Sequence, residues 1–156
     1  MDADTFSALT TDPWMMGKRL TNINLKVHDI PGEANFYRIS ARSISYNTDP
    51  YDSKVYINPG QISFEKEFFT DQGIDGKEIN LKTIYGIDYL LVQDSSFIVF
   101  YLLNTEKSYF LYHKSLSDYV SGDNPFSEAS AVYSNITGGL GIFASYTVDS
   151  LIVRLK

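Results

Sequence analysis

Apolar side chains along this chain alternate with polar ones more often than they follow a helical rhythm. Ile23, Leu25 and Val27 stand between Asn22, Asn24, Lys26 and His28, the period of two that puts one face of a strand in a core and the other in water. Asp29-Ile-Pro-Gly-Glu33 follows as a Pro-Gly turn. Alternation resumes over residues 36–46, with Tyr37, Ile39 and Ala41 on one face and Phe36, Arg38, Ser40 and Arg42 on the other. These two segments are expected to form a hairpin. Residues 47–60 change to Asn, Asp, Pro, Ser and Gly around Tyr51, Tyr56 and Ile57, the composition of a long loop. Strands are expected at 62–69 and 79–83, with the turn cluster Thr70-Asp-Gln-Gly-Ile-Asp-Gly-Lys77 between them. Residues 85–94 read either as a strand or as a plug for the core. The unbroken apolar run 97–103 reads as a central strand covered on both faces.

Only residues 105–120 depart from this period. Tyr109, Tyr112, Leu116 and Tyr119 or Val120 fall at intervals of three and four, one side of a helix. Asn104 or Thr105 can cap its start, and Ser121-Gly122 followed by Asp-Asn-Pro125 ends it. Strands are expected again at 131–136, 142–146 and 151–155, divided by Thr137-Gly-Gly-Leu-Gly141 and by a turn near Asp149. The sum is a mainly β fold, an antiparallel β-sandwich or open barrel of about eight strands with one packed α-helix. Residues 1–19 read as an N-terminal extension or linker, and 20–156 as a single β-rich domain.

Composition narrows the function classes. With 156 residues the chain is one ordinary domain, long enough to bury roughly 68–70% of its unfolded surface without help from a disulfide or a metal. It has no Cys, which removes thiol catalysis, disulfides and Cys-ligated zinc. Thirteen Lys and Arg against 19 Asp and Glu leave a net charge of -6, the wrong sign for neutralising phosphates, so no nucleic-acid partner is expected. Residues 1–19 have neither the basic start nor the apolar stretch of a signal peptide. The apolar run 97–103 is far short of the roughly 20 residues a membrane-spanning helix needs, so no transmembrane segment is expected in this chain.

Candidate chemistry is sparse. Gly139-Leu-Gly-Ile-Phe-Ala144 fits G-x-G-x-x-A, but a dinucleotide site needs those glycines to open a helix, and a strand is expected there instead. Gly138, Gly139 and Gly141 are therefore assigned to a structural turn. Asp71 and Asp75 with Gly76 resemble the start of a calcium loop, yet Lys82 stands at position twelve, where a bidentate Glu belongs. No metal site and no cofactor are expected, the looser set Asp71, Asp75 and Glu78 being the alternative. Two histidines, His28 and His113, cannot build a three-His centre, no G-x-S-x-G elbow is present, and no carboxylate pair stands out, so no catalytic residue is assigned. The chain carries 12 Tyr and 10 Phe. Tyr46, Asn47, Asp49, Tyr51 and Tyr56 combine ring faces with hydrogen-bonding side chains, the makings of a surface for a sugar or a protein. The same tyrosines also suit sheet faces.

Asn124-Pro-Phe-Ser-Glu128, Val132-Tyr-Ser-Asn-Ile136, Gly138-Gly-Leu-Gly-Ile-Phe143 and Tyr146 together resemble the closing block of an uncharacterised family of Bacteroidetes outer-membrane lipoproteins, domain of unknown function 4249. Asp29-Ile-Pro-Gly, Asn35-Phe-Tyr-Arg and the segment 69–77 are similar to its earlier motifs in the same order, so the resemblance spans about 20–155. Members are typically longer, with a lipoprotein signal and an N-terminal Ig-like β-domain, and this chain resembles their C-terminal domain. The resemblance implies an exported protein, outer-membrane-associated, periplasmic or at the cell surface, often beside TonB-dependent transport. It brings no catalytic residues. Two function classes follow: a non-enzymatic binding or scaffold module contacting an envelope protein or glycan, or else an envelope polysaccharide or peptide hydrolase with an unlocated carboxylate pair.

Overall fold

The computed structural model describes residues 1–9, 18–48, 51–88, 95–121 and 131–155. Among the described residues, eight strands and one helix build two antiparallel sheets that are not closed into a barrel. The smaller sheet has the order β1-β2-β6, from β1 (Asp2–Leu9), β2 (Lys18–His28) and β6 (Glu78–Asp88). The larger has the order β4-β3-β7-β8, from β3 (Phe36–Thr48), β4 (Val55–Ile62), β7 (Ser95–Thr105) and β8 (Tyr146–Leu155), with β5 (Phe68–Thr70) pairing β3 beyond the end of β4. Helix α1 (Lys107–Ser121) packs on the outer face of the larger sheet.

The alternation read from the sequence decides which residues meet between the sheets. Ile23, Leu25 and Val27 of β2, with Ile79 and Leu81 of β6, face Tyr37, Ile39 and Ala41 of β3 and Ile98, Phe100 and Leu102 of β7; all are buried. Each large apolar side chain removed from water contributes about 1.5–3 kcal/mol. Pairing fixes the faces: Ile39 opposite Leu102 and Ala41 opposite Phe100 point inward, so Arg38 opposite Leu103, Ser40 opposite Tyr101 and Arg42 opposite Val99 point outward. Over one end of that outer face α1 lays Phe110, buried against Phe36 and Phe68 with ring centroids at 5.4 and 5.9 Å.

Several local expectations are corrected. β2 and β3 are not a hairpin: β2 pairs β1 and β6, and the turn after His28 carries the chain across the core into the other sheet. Each strand has one apolar face, and stacking those faces buries both, which edge-to-edge pairing alone does not. Residues 47–60 are not a long loop, since most of them belong to a β3–β4 hairpin pairing Ala41–Thr48 with Val55–Ile62. Segment 62–69 is the end of β4, a connection and the start of β5. Residues 131–136 and 142–145 form no strand, and Asp149 lies inside β8 rather than at a turn. Residues 1–19 contribute β1, paired along its length with β2. At the helix start the Thr105 hydroxyl donates to Phe36 O at 3.0 Å and the Asn104 amide to Asn35 Oδ1 at 2.9 Å, so neither caps α1. Residues 89–94 and 122–130 lie outside the described residues, and with them part of the 85–94 and helix-end expectations.

Candidate functional site

The tyrosine-bearing segment becomes the tip of the β3–β4 hairpin. Tyr51 is 97% exposed there. Tyr46 opposes Ile57 and packs its ring on Phe97 at 5.9 Å, whereas Tyr56 opposes Asn47 one position along. Adjacent positions of a strand pair project to opposite faces, so Tyr46 and Tyr56 do not share a surface. Asp49 and the Asn47 side chain lie outside the described residues.

A second grouping was only half legible. Carboxylate oxygens of Asp29, Asp71 and Asp75 all lie within 4.8 Å of one another. Sequence reading brought Asp71 and Asp75 together but named Glu78 where the structure supplies Asp29 from a different turn; Glu78 is on β6, 4.0 Å from Lys26. Hard oxygen donors of this kind suit calcium or magnesium, yet each carboxylate already has donors. Asp29 Oδ1 accepts from the Tyr37 hydroxyl at 2.6 Å and Oδ2 from Gly76 N–H at 2.7 Å. Asp71 Oδ2 accepts from Asn35 N–H at 2.9 Å, and Asp75 Oδ1 from Gly32 N–H at 2.8 Å. Buried Asn35 extends the cluster by donating its amide to Ile30 O and Glu33 O at 2.9 and 3.1 Å. Burial, then the bond to Asp29, pushes the Tyr37 phenol up, so it stays a donor throughout the physiological range. These bonds staple the 29–35 crossing to the 70–77 loop. That lock contains the residues of the earlier family-like motifs, Asp29, Asn35, Tyr37, Asp71 and Gly76.

A third site carried no local sequence signal, because its members come from three elements. Arg38, on the outer face of β3, donates Nε to Glu67 at 2.7 Å and Nη1 to the Tyr109 hydroxyl at 3.1 Å, with its guanidinium 5.1 Å above the Phe68 ring. Burial alone would lower the Arg38 pKa; the bonds to Glu67 and Tyr109 outweigh it and hold it raised. A cleft of about 580 Å³ lies beside it over Ser40, Arg42 and Ser63. On the other side His113 packs on Tyr109, the rings tilted by 40° with centroids 4.2 Å apart, and its pKa is lowered by burial and by the Arg38 charge. His28 ends β2 at the surface.

The glycine-rich segment is a fixed loop. Gly138 and Gly141 adopt φ of +75° and +136°, whereas Gly139 does not require a positive φ. The Ser134 hydroxyl is shared between Gly139 O and Gly141 O at 3.1 and 2.9 Å. Asn135 imitates a strand partner: its amide donates to Phe143 O and accepts from Phe143 N–H, both at 2.9 Å. Both ends are tied to α1 or the residue before it, Tyr133 N–H donating to the Ser115 hydroxyl at 2.9 Å and Ser145 to Glu106 Oε1 at 2.6 Å. On this frame Leu140 and Phe143 stand 89% and 87% exposed.

Among the described residues, fold and sites together define a β-sandwich domain with one helix on an outer face, turns locked by carboxylate and amide groups, and a hydrogen-bonded loop that displays apolar side chains. Over residues 2–152 the chain matches the family described as Domain of unknown function (DUF4249), and it belongs to that family. No curated protein and no solved structure matches it. Among the described residues no helix is long and apolar enough to cross a membrane.

Proposed function

We propose that this chain is a non-enzymatic recognition module of the cell envelope, exported and associated with the outer membrane, which binds an envelope protein through its 136–143 loop. The envelope assignment rests on the resemblance to Bacteroidetes lipoproteins. The observation that carries the binding role is the display of Leu140 and Phe143 in water on a backbone fixed by Ser134 and Asn135. Apolar side chains this exposed contribute nothing to the core, whereas a pre-ordered loop spares a partner the entropy of fixing it. A Leu–Phe pair fits an apolar pocket on a protein, where such anchors concentrate binding energy; a glycan's hydroxyls need polar partners. The earlier motifs have a structural role in the lock around Asp29, and these two side chains have none.

The test compares the wild type with a Leu140→Ser/Phe143→Ser double variant, both immobilised and exposed to outer-membrane extract. An envelope protein retained by the wild type and lost by the double variant, at unchanged melting temperature, supports the reading; equal retention refutes it. Hydrolysis of envelope glycans or peptidoglycan fragments, abolished by changing a single Asp or Glu, would establish the enzyme instead. Glu67 is poorly placed for such work because Arg38 already occupies its carboxylate.

A further inference from the structure

Among the described residues β8 is the last strand of the larger sheet and pairs β7 along one side only, in an unbroken register from Thr105 opposite Tyr146 to Ser96 opposite Leu155. Its other side presents a row of backbone donors and acceptors. Soluble proteins blunt such edges with charged side chains, Pro, bulges or a covering element; β8 has neither Lys nor Pro, and its charges are Asp149 on the inner face and Arg154 near its end. Its outward face reads Tyr146, Val148, Ser150, Ile152, Arg154, and Tyr146, Val148 and Ile152 are 54%, 54% and 64% exposed.

We propose that a second copy of this chain pairs β8 against β8 in antiparallel fashion, about a two-fold axis through Ser150, joining two five-stranded sheets into one. The sequence of the strand selects both the partner and the register. A two-fold normal to the sheet keeps inner faces inner, so facing residues must share parity. Centring on Ser150 sets Val148 opposite Ile152, Tyr146 opposite Arg154, and serine opposite serine: an apolar pair flanked by a ring and a guanidinium, repeated on both sides of the axis. Centring one residue earlier sets Tyr146 against Ile152, but also Asp149 against Asp149, a like-charge pair, and Val148 against Ser150. Centring one later sets Val148 against Arg154 and leaves Tyr146 without a facing residue in the strand. Of these three registers the Ser150 one alone sets Val148 opposite Ile152 on the outer face with no like charges facing; on the inner face it sets Thr147 opposite Val153 and Asp149 opposite Leu151, and the match is of the strand with itself. The copies each carry a net charge of -6, so association strengthens as salt rises.

The absence of cysteine makes the test direct. Facing residues in an antiparallel pair have Cα atoms about 4.5–5.5 Å apart, within disulfide reach. Under mild oxidation Ser150→Cys should convert to a covalent dimer. Val148→Cys and Ile152→Cys should each form no covalent dimer alone and cross-link when mixed. Equal cross-linking of all three single variants, or none for Ser150→Cys, overturns the proposal. Sedimentation supplies the second readout: the wild type should dimerise with rising concentration, and Ile152→Lys, with an unchanged melt, should not. A wild type monomeric at the highest soluble concentration, or a dimer that survives Ile152→Lys, also overturns it.

Discussion

The Tyr37 hydroxyl donates a 2.6 Å hydrogen bond to Asp29 Oδ1 beneath the turn that carries the chain from one sheet to the other. Both groups are buried, and the same carboxylate accepts the Gly76 N–H. Asp29→Ala strands the phenol and the amide together and should cost about 2–3 kcal/mol. Tyr37→Phe, which leaves the Gly76 bond in place, should cost less. Urea denaturation of the two variants against wild type measures both.

Gly76 adopts φ +68°, and a Cβ there would lie 2.9 Å from Pro31 Cβ. Gly76→Ala should therefore lose about 1–3 kcal/mol to backbone strain and contact together. Gly73, at φ +82° with no atom near its missing Cβ, isolates the backbone part of that cost. Gly73→Ala should melt between Gly76→Ala and wild type.

Chelator is expected to leave the melting temperature unchanged. An ion at Asp29, Asp71 and Asp75 would have to share oxygens that already accept bonds from Tyr37, Gly76, Asn35 and Gly32. A ligand bound only by the native state raises its stability by mass action, so a rise of several degrees in millimolar calcium would establish a cation site.

Phe110 is the buried apolar side chain of α1, packed on the sheet between Phe36 and Phe68. Phe110→Ala should cost about 3–5 kcal/mol. Tyr119 and Val120, 53% and 70% exposed, sit on the predicted stripe yet outside the contact, and alanine at either should change stability by less than about 0.5 kcal/mol. Thermal melts followed by circular dichroism separate the two outcomes.

The His113 pKa is lowered from 6.5 by burial and by Arg38, against the opposing pull of Glu67. Above about 6.5 the imidazole is neutral in both folded and unfolded chains, and its environment costs nothing. As pH falls below that value the unfolded chain takes up a proton that the folded chain resists, so stability is lost until the lower folded pKa is reached. His113→Gln should flatten that part of the stability–pH curve, and an NMR titration of the ring should place its midpoint below the ordinary value.

β2 and β3 were legible because each has a strict apolar face and a polar one. Their partnership was not, because hairpin and crossing demand the same local pattern, and only the burial of both faces chooses between them. β4 was hidden by Asn58, Pro59 and Gly60, which an edge strand tolerates and a central one does not. Val132, Tyr133 and Ile136 imitate a strand, but the Asn135 side chain takes the bonds a neighbouring strand would have supplied. Phe110 was missed because its neighbour Tyr109 fitted the three-four spacing as well. Arg38, Glu67 and His113 meet only through tertiary packing, and no spacing in the chain announces them.

The pairing pattern also sets a timetable for folding. β2 waits for β6, since Lys18 must find Asp88, and β3 waits for β7, since Phe36 must find Thr105. Among the described residues the β1–β2 and β3–β4 hairpins close over short spans, Leu9 opposite Arg19 and Thr48 opposite Val55. Long-range closure of this kind slows folding to roughly milliseconds or seconds, against microseconds for helical bundles. During synthesis the apolar β7 emerges well before β8, the strand that covers its far side. At about 5–20 residues per second, the nascent chain carries that strand half-paired for seconds. Chaperone demand should accordingly peak in the interval between translation of residues 105 and 146.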